Sequence, residues 1–190
     1  MKQIVAIASM LLAFSTTLSA AETVRQLGPH KHGHGTLDLA VEGQTVQMWL
    51  EVPGSDIVGF EYEAKTAEDQ AKIEAAKETL SQPWALFTLP HAAGCKVTST
   101  KVDVAGASES DQSADEHEAN GEKHETEHFE FHVQYALSCA NVAAIKILSF
   151  PYFDAFPNSE ELKVTLITER GQKAFEVNRD HALINIQGMM

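Results

Sequence analysis

The sequence predicts a mainly β (α+β) fold: a single antiparallel, β-rich domain with one packed helix and a disordered acidic loop that carries histidines. Three observations predict it. Apolar and polar residues alternate over several short stretches bounded by turn residues, as in strands half-buried on a core. Only one stretch, 66–82, combines apolar residues at helical spacing with start and stop signals. A third, 106–130, holds nine acidic residues against one Lys and almost nothing large and apolar, so it cannot bury enough surface to fold alone. The chain's 190 residues suit one domain with a sizeable core and are short for two.

The elements follow in order. Residues 1–21 read as a secretory signal peptide: Lys2 gives the positive start, 4–18 are mostly apolar, and Ser19-Ala20-Ala21 supplies small residues for cleavage. The run is too short and too rich in Ser and Thr to span a membrane comfortably. The expected product, 22–190, is exported to a bacterial periplasm and is not membrane-embedded. His34 to Val41 alternates as a strand, Glu42-Gly43-Gln44 turns, and Thr45 to Val52 returns, giving a β-hairpin that Pro53-Gly54 stops. Thr66 caps the helix, with Asp69 three residues on, and Pro83 ends it.

Trp84 to Leu89 and Cys95 to Val104 read as extended. The insertion, 106–127, is expected to be mobile. Phe129, Phe131, Val133, Tyr135 and Leu137 then form a core face, with His128, Glu130, His132 and Gln134 opposite. Val142 to Leu148, Leu162 to Thr168, Ala174 to Val177 and Ala182 to Ile186 supply further strands, with a turn at Gly171-Gln172. The aromatic run Phe150, Tyr152, Phe153 and Phe156 suits either core or a docking patch.

The formal net charge of −13 excludes a nucleic-acid surface, since no basic run offsets it. Cys95 and Cys139 are the only cysteines. In an exported chain they form one candidate disulfide, closing a loop around the acidic segment and contributing roughly 4 kcal/mol. The alternative, a thiolate ligand or redox pair, lacks Cys-x-x-Cys spacing.

Nine histidines are the unusual count. His30, His32 and His34 sit at every second residue, so an extended chain would put three imidazoles on one side. His128 and His132 flank Glu130 on the outward face of a strand, and His117 and His124 lie in the acidic segment. Imidazole suits zinc, copper, nickel and iron, and carboxylates add affinity for any divalent cation; zinc takes about four ligands in a tetrahedron. Negative charge around them concentrates cations. His32, His34, His128 and His132 are the principal candidate ligands; His30, His117, His124 and Glu130 are secondary. Calcium is disfavoured, because no D-x-[DN]-x-[DN]-G loop occurs. No HExxH, G-x-S-x-G, P-loop or dinucleotide fingerprint is present, so the expectation is a binder rather than an enzyme.

Five stretches carry a family resemblance: HGHGTLDLAVEG (32–43), VPGSDIVGFEYEAKTAED (52–69), LFTLPHAAGCKV (86–97), FEFHVQYALSCAN (129–141) and FPYFDAFPNSEELKVTLITERGQ (150–172). Together they resemble the ZrgA-like family of zinc-regulated periplasmic proteins of proteobacteria. The resemblance implies zinc acquisition alongside an ABC-type inner-membrane system, and a His- and acid-rich central loop. Many relatives carry His after Gly-Phe-Glu where this chain has Tyr62, so that position receives no metal role.

The expected function is a periplasmic protein that captures Zn2+ and delivers it to an ABC-type zinc uptake system. The rivals are a metal buffer or chaperone without a transporter, a metal-independent envelope interaction module, and a metal hydrolase.

Overall fold

A computed structural model describes residues 31–106 and 128–190. The expected signal peptide, His30, His117, His124 and all but the first residue of the expected insertion lie outside the described residues. Strands β1 (His34–Glu42) and β2 (Thr45–Pro53) form the expected hairpin, paired from Thr36↔Glu51 to Glu42↔Thr45. A short helix α1 (Gly54–Val58) follows, then α2 (Ala67–Leu80), whose cap is as expected. The Asp69 amide donates to Thr66 Oγ1 at 3.0 Å, and the Thr66 hydroxyl donates to Asp69 Oδ2 at 2.7 Å. The first bond satisfies a backbone N–H that a helix start otherwise leaves open, and the second ties the two side chains together.

Pro83 does not simply end that helix. It opens another turn, α3 (Pro83–Leu86), so the first part of Trp84 to Leu89 is helical rather than extended. Proline's fixed φ suits a first helical position, which accounts for the difference. Strands β3 (Cys95–Ala105) and β4 (Glu130–Cys139) come before and after the acidic stretch of the sequence. The expected strand at 142–148 shrinks to β5 (Ile147–Ser149) behind a single 3-10 turn. Helix α4 (Tyr152–Ala155) and strands β6 (Glu161–Thr168), β7 (Gly171–Asn178) and β8 (Leu183–Asn185) complete the described chain. The turn between β6 and β7 falls at Glu169-Arg170, just ahead of the expected Gly171-Gln172.

Six strands make one sheet in the order β3-β4-β2-β1-β6-β7, and β5 pairs with β8 beside it. The chain is therefore mostly β and a single domain. Neighbours in the large sheet are antiparallel except β1 and β6, which run parallel, so the sheet is mixed rather than wholly antiparallel. The connection explains it: β6 reaches β1 only after the chain has passed through the other elements, and no tight turn forces reversal.

One face of the sheet carries Leu37, Leu39, Met48, Leu50, Val133, Tyr135, Val164 and Leu166, all buried. Helices and the small sheet cover it. Phe87 meets Tyr135 of β4 edge-on at 5.9 Å and stacks on Tyr152 at 6.4 Å. Phe150, Tyr152, Phe153 and Phe156 are each 4% exposed or less. They are core, which removes the docking alternative. The α2 C-terminus is tied down by Tyr135, whose hydroxyl donates to the Leu80 carbonyl at 2.6 Å. Cys95 and Cys139 face one another across β3 and β4 and are bonded as a disulfide.

Candidate metal centre

Three segments that sequence separates meet at one end of the sheet: the turn before β1, the chain after α1, and the residues before β4. Apolar packing brings the last two together. Phe60 is buried and meets Phe129 edge-on, with ring centroids 5.6 Å apart. The Gly54 amide donates to the Phe129 carbonyl at 2.9 Å. A Cβ at Gly54 would stand 2.5 Å from the Phe129 ring, so only glycine permits that approach. Glu61 follows Phe60 and His128 precedes Phe129, so the aromatic contact places their side chains side by side.

The first segment arrives by a turn. The His34 amide donates to the Lys31 carbonyl at 3.1 Å, and Gly33 has a φ of 81°, a left-handed conformation that favours glycine. His32 is thereby swung off the line of β1 and toward Glu61.

The result is a carboxylate between two imidazoles. Glu61 Oε2 lies 2.8 Å from His32 Nε2 and 2.6 Å from His128 Nδ1. The imidazole centroids are 6.2 Å apart. Since a carboxylate only accepts, both facing nitrogens donate to it. Glu61 forms a floor at 8% side-chain exposure; His32 and His128 form an open rim at 67% and 51%. Burial by itself would raise the Glu61 carboxyl. Hydrogen bonds from Ser55, His32 and His128 outweigh that and hold it below the usual carboxylate range.

One ligand atom from each of the three residues lies within 4.8 Å of the others. A tetrahedral zinc with bonds of about 2.0–2.1 Å needs neighbouring donors roughly 3.3 Å apart. His32 Nε2 and His128 Nδ1, at 2.8 and 2.6 Å from Glu61 Oε2, stand closer to the carboxylate than that, so holding an ion requires each imidazole to draw back from it. Three protein donors then leave a fourth position for water or another donor.

Supporting contacts sit beneath. The Ser55 hydroxyl donates to Glu61 Oε1 at 2.7 Å, which leaves Oε2 to the imidazoles. Asp56, 2% exposed, accepts the Gly33 amide at 2.7 Å through Oδ1. Its Oδ2 is buried and has no hydrogen-bond partner among the described residues. Burial raises the Asp56 carboxyl, the bonds from Gly33 and Ser55 lower it, and the Glu61 charge adds to the rise.

The candidate ligands separate into groups. His32 and His128 converge, but His34 does not share their site. Its Nδ1 lies 3.2 Å from Glu161 Oε1 across the parallel β1–β6 pair. The expected alternation of His32 with His34 on one strand face therefore fails, because Gly33 turns the chain between them. His132 Nε2 instead lies 3.1 Å from Glu130 Oε2. Glu130 shares that face of β4 with His132, as expected, but is only 6% exposed. His128 lies just before β4 rather than on its outer face.

Glu61 is the residue that sequence reasoning passed over. A lone Glu beside an aromatic residue, 29 positions from His32, has no local signature. The contact between Phe60 and Phe129 would have found it.

Fold and site together define a β-sheet domain with a His–Glu–His cluster, open at its imidazole rim, that could hold a metal ion. The family model described as "ZrgA family zinc uptake protein" matches residues 29–186, and the chain belongs to that family. No curated protein matches the chain. The family description ties the chain to zinc uptake.

Proposed function

We propose that this protein captures Zn2+ in the periplasm at His32, Glu61 and His128 and delivers it to an ABC-type zinc uptake system. The observation that carries the reading is the convergence of both imidazoles on one carboxylate oxygen, at 2.8 and 2.6 Å. An exposed site built from three donors suits release as well as capture, because an incoming donor can take the open position. Family membership supports zinc as cargo. The disulfide fits an oxidising compartment, and residues 1–21 have the pattern of an export signal.

His30, His117 and His124 remain candidate additional donors, and the acids of 106–127 supply a negative field leading into His128. His34, Glu130 and His132 are secondary candidates, each already engaged with a neighbouring side chain.

Calorimetric zinc titration of the untagged mature protein tests the proposal. Wild type should bind with defined stoichiometry, and Glu61→Ala should lose the tightest site. Delivery is tested by zinc transfer to the purified periplasmic or membrane component of the uptake system. Transfer no faster than spontaneous zinc release would favour a buffer over a delivery protein.

A further inference from the structure

We infer that Asp56 is a positioning residue of the cation site, acting through the His32–Gly33 peptide without ligating the ion. The inference rests on the site proposed above and adds a residue to it.

The N–H that Asp56 accepts belongs to the peptide linking His32 to Gly33, so holding it restricts the backbone torsion that aims the His32 side chain. The other side of Gly33 is held differently. Its carbonyl accepts the Glu160 and Glu161 amides, each at 2.8 Å, and thereby continues the pairing of β1 with β6. On the His32 side, the bond to Asp56 is the backbone anchor that reaches across from the Glu61 segment, beside the side-chain contact of His32 with Glu61 itself. His32 itself is 67% exposed and sits in a turn. Without that anchor the cation would have to order the arm, at a cost in conformational entropy.

Asp56 also stands next to Ser55, which orients Glu61. Ser55 has one hydroxyl proton and two carboxylate neighbours, Glu61 Oε1 at 2.7 Å and Asp56 Oδ1 at 3.2 Å. The shorter bond goes to Glu61. The pair Ser55-Asp56, at the start of α1, thus sets two of the three donors at once: Ser55 fixes the carboxylate and Asp56 fixes the arm that carries an imidazole. Asp56 is buried with only Oδ1 engaged by the described residues. Such a buried carboxylate is a costly way to fill space, and the bond to Gly33 gives it a task.

The test compares Asp56→Asn, Asp56→Ala and Glu61→Ala in the full mature protein, by zinc calorimetry and by the visible spectrum of bound Co2+. Asparagine keeps the carbonyl acceptor and the shape; alanine removes both. Partners that orient metal ligands typically change affinity by about 10–100-fold. Asp56→Ala should therefore lose at least about ten-fold and shift the Co2+ bands, while Asp56→Asn stays within about three-fold with wild-type bands. Gly33→Ala should lose affinity too, since its φ of 81° and the Glu160 side chain 2.9 Å from the new Cβ oppose the turn.

Wild-type binding by Asp56→Ala, with loss in Glu61→Ala, overturns the positioning role alone. Equal losses in Asp56→Asn and Asp56→Ala also overturn it, by showing that charge rather than placement matters. Should Asp56→Ala not fold, Asp56→Asn decides: a ten-fold loss there overturns the inference. Wild-type binding by Glu61→Ala overturns the site and this inference with it.

Discussion

Phe60 and Phe129 meet edge-on at 5.6 Å, and the residues attached to them, Glu61 and His128, share a hydrogen-bonded contact of 2.6 Å. The His–Glu–His cluster is therefore held by the core beneath it. An apolar contact between distant segments sets the spacing of two polar groups that would otherwise have no reason to be close.

Truncating that contact should disturb stability and binding together. Phe60→Ala removes a buried ring and should destabilise by about 3 kcal/mol, measured by urea denaturation. Zinc affinity of the fraction still folded should fall as well. Unchanged affinity in a destabilised variant would show that Glu61 and His128 are placed by something other than the rings.

Much of the fold is legible in the sequence because local rules act alone there. The alternation of Leu37, Leu39 and Val41, the Thr66 cap and the face from Phe129 to Leu137 all read directly. The parallel pairing of β1 with β6 does not, since alternation says which face is buried and nothing of direction. At the site, His32 and His128 are legible as histidines in cation-suited surroundings. The sequence does not show that Gly33 breaks the strand between His32 and His34, because glycine permits either conformation. Nor does it show Glu61, whose role exists only once Phe60 finds Phe129.

Zinc binding should weaken on acidification. The ligands must be unprotonated, and imidazole ordinarily titrates near 6.5. Glu61 is held below the usual carboxylate range, so it stays charged through the same interval. Protons at the histidines then account for the loss. Calorimetry should find affinity falling markedly between about pH 7.5 and 5.5. A flat profile across that interval would place the tightest site on carboxylates alone.

Asp56 should reveal itself in stability without metal. Its folded-state carboxyl is raised above the ordinary value of 3.8 by burial. A raised carboxyl opposes folding once the unfolded chain ionises, so the penalty grows as pH rises through the unfolded value and is complete above the folded one. Asp56→Asn should therefore raise the apo melting temperature at pH 7, with the gain shrinking toward zero below the unfolded value. A variant less stable than wild type at pH 7 would mean that ionised Asp56 has a stabilising partner.

The disulfide joins β3 to β4 at the end of β4 remote from His128. Reducing it should cost about 2–5 kcal/mol, because the unfolded chain regains a long loop. Unfolded, unreduced protein should contain no reactive thiol. Two reactive thiols per chain would show that the bond does not form.

The histidines provide the last test, since the structure sorts them in a way that their sequence grouping does not. Grouped by sequence, His32 belongs with His34 and His128 with His132. Grouped by geometry, His32 belongs with His128 around Glu61, while His34 pairs with Glu161 and His132 with Glu130. The double variant His32→Ala with His128→Ala removes both nitrogen donors from one ion and should lower affinity at the tightest site by 100-fold or more, about 3 kcal/mol. His34→Ala with His132→Ala removes one imidazole from each of two separate carboxylates and should leave that site within a few-fold of wild type. Zinc calorimetry on the two double variants, with folding verified by circular dichroism, separates the groupings. If the second pair loses as much as the first, all four histidines serve one site, and zinc would then have to draw β1 and β4 residues away from the carboxylates that now hold them.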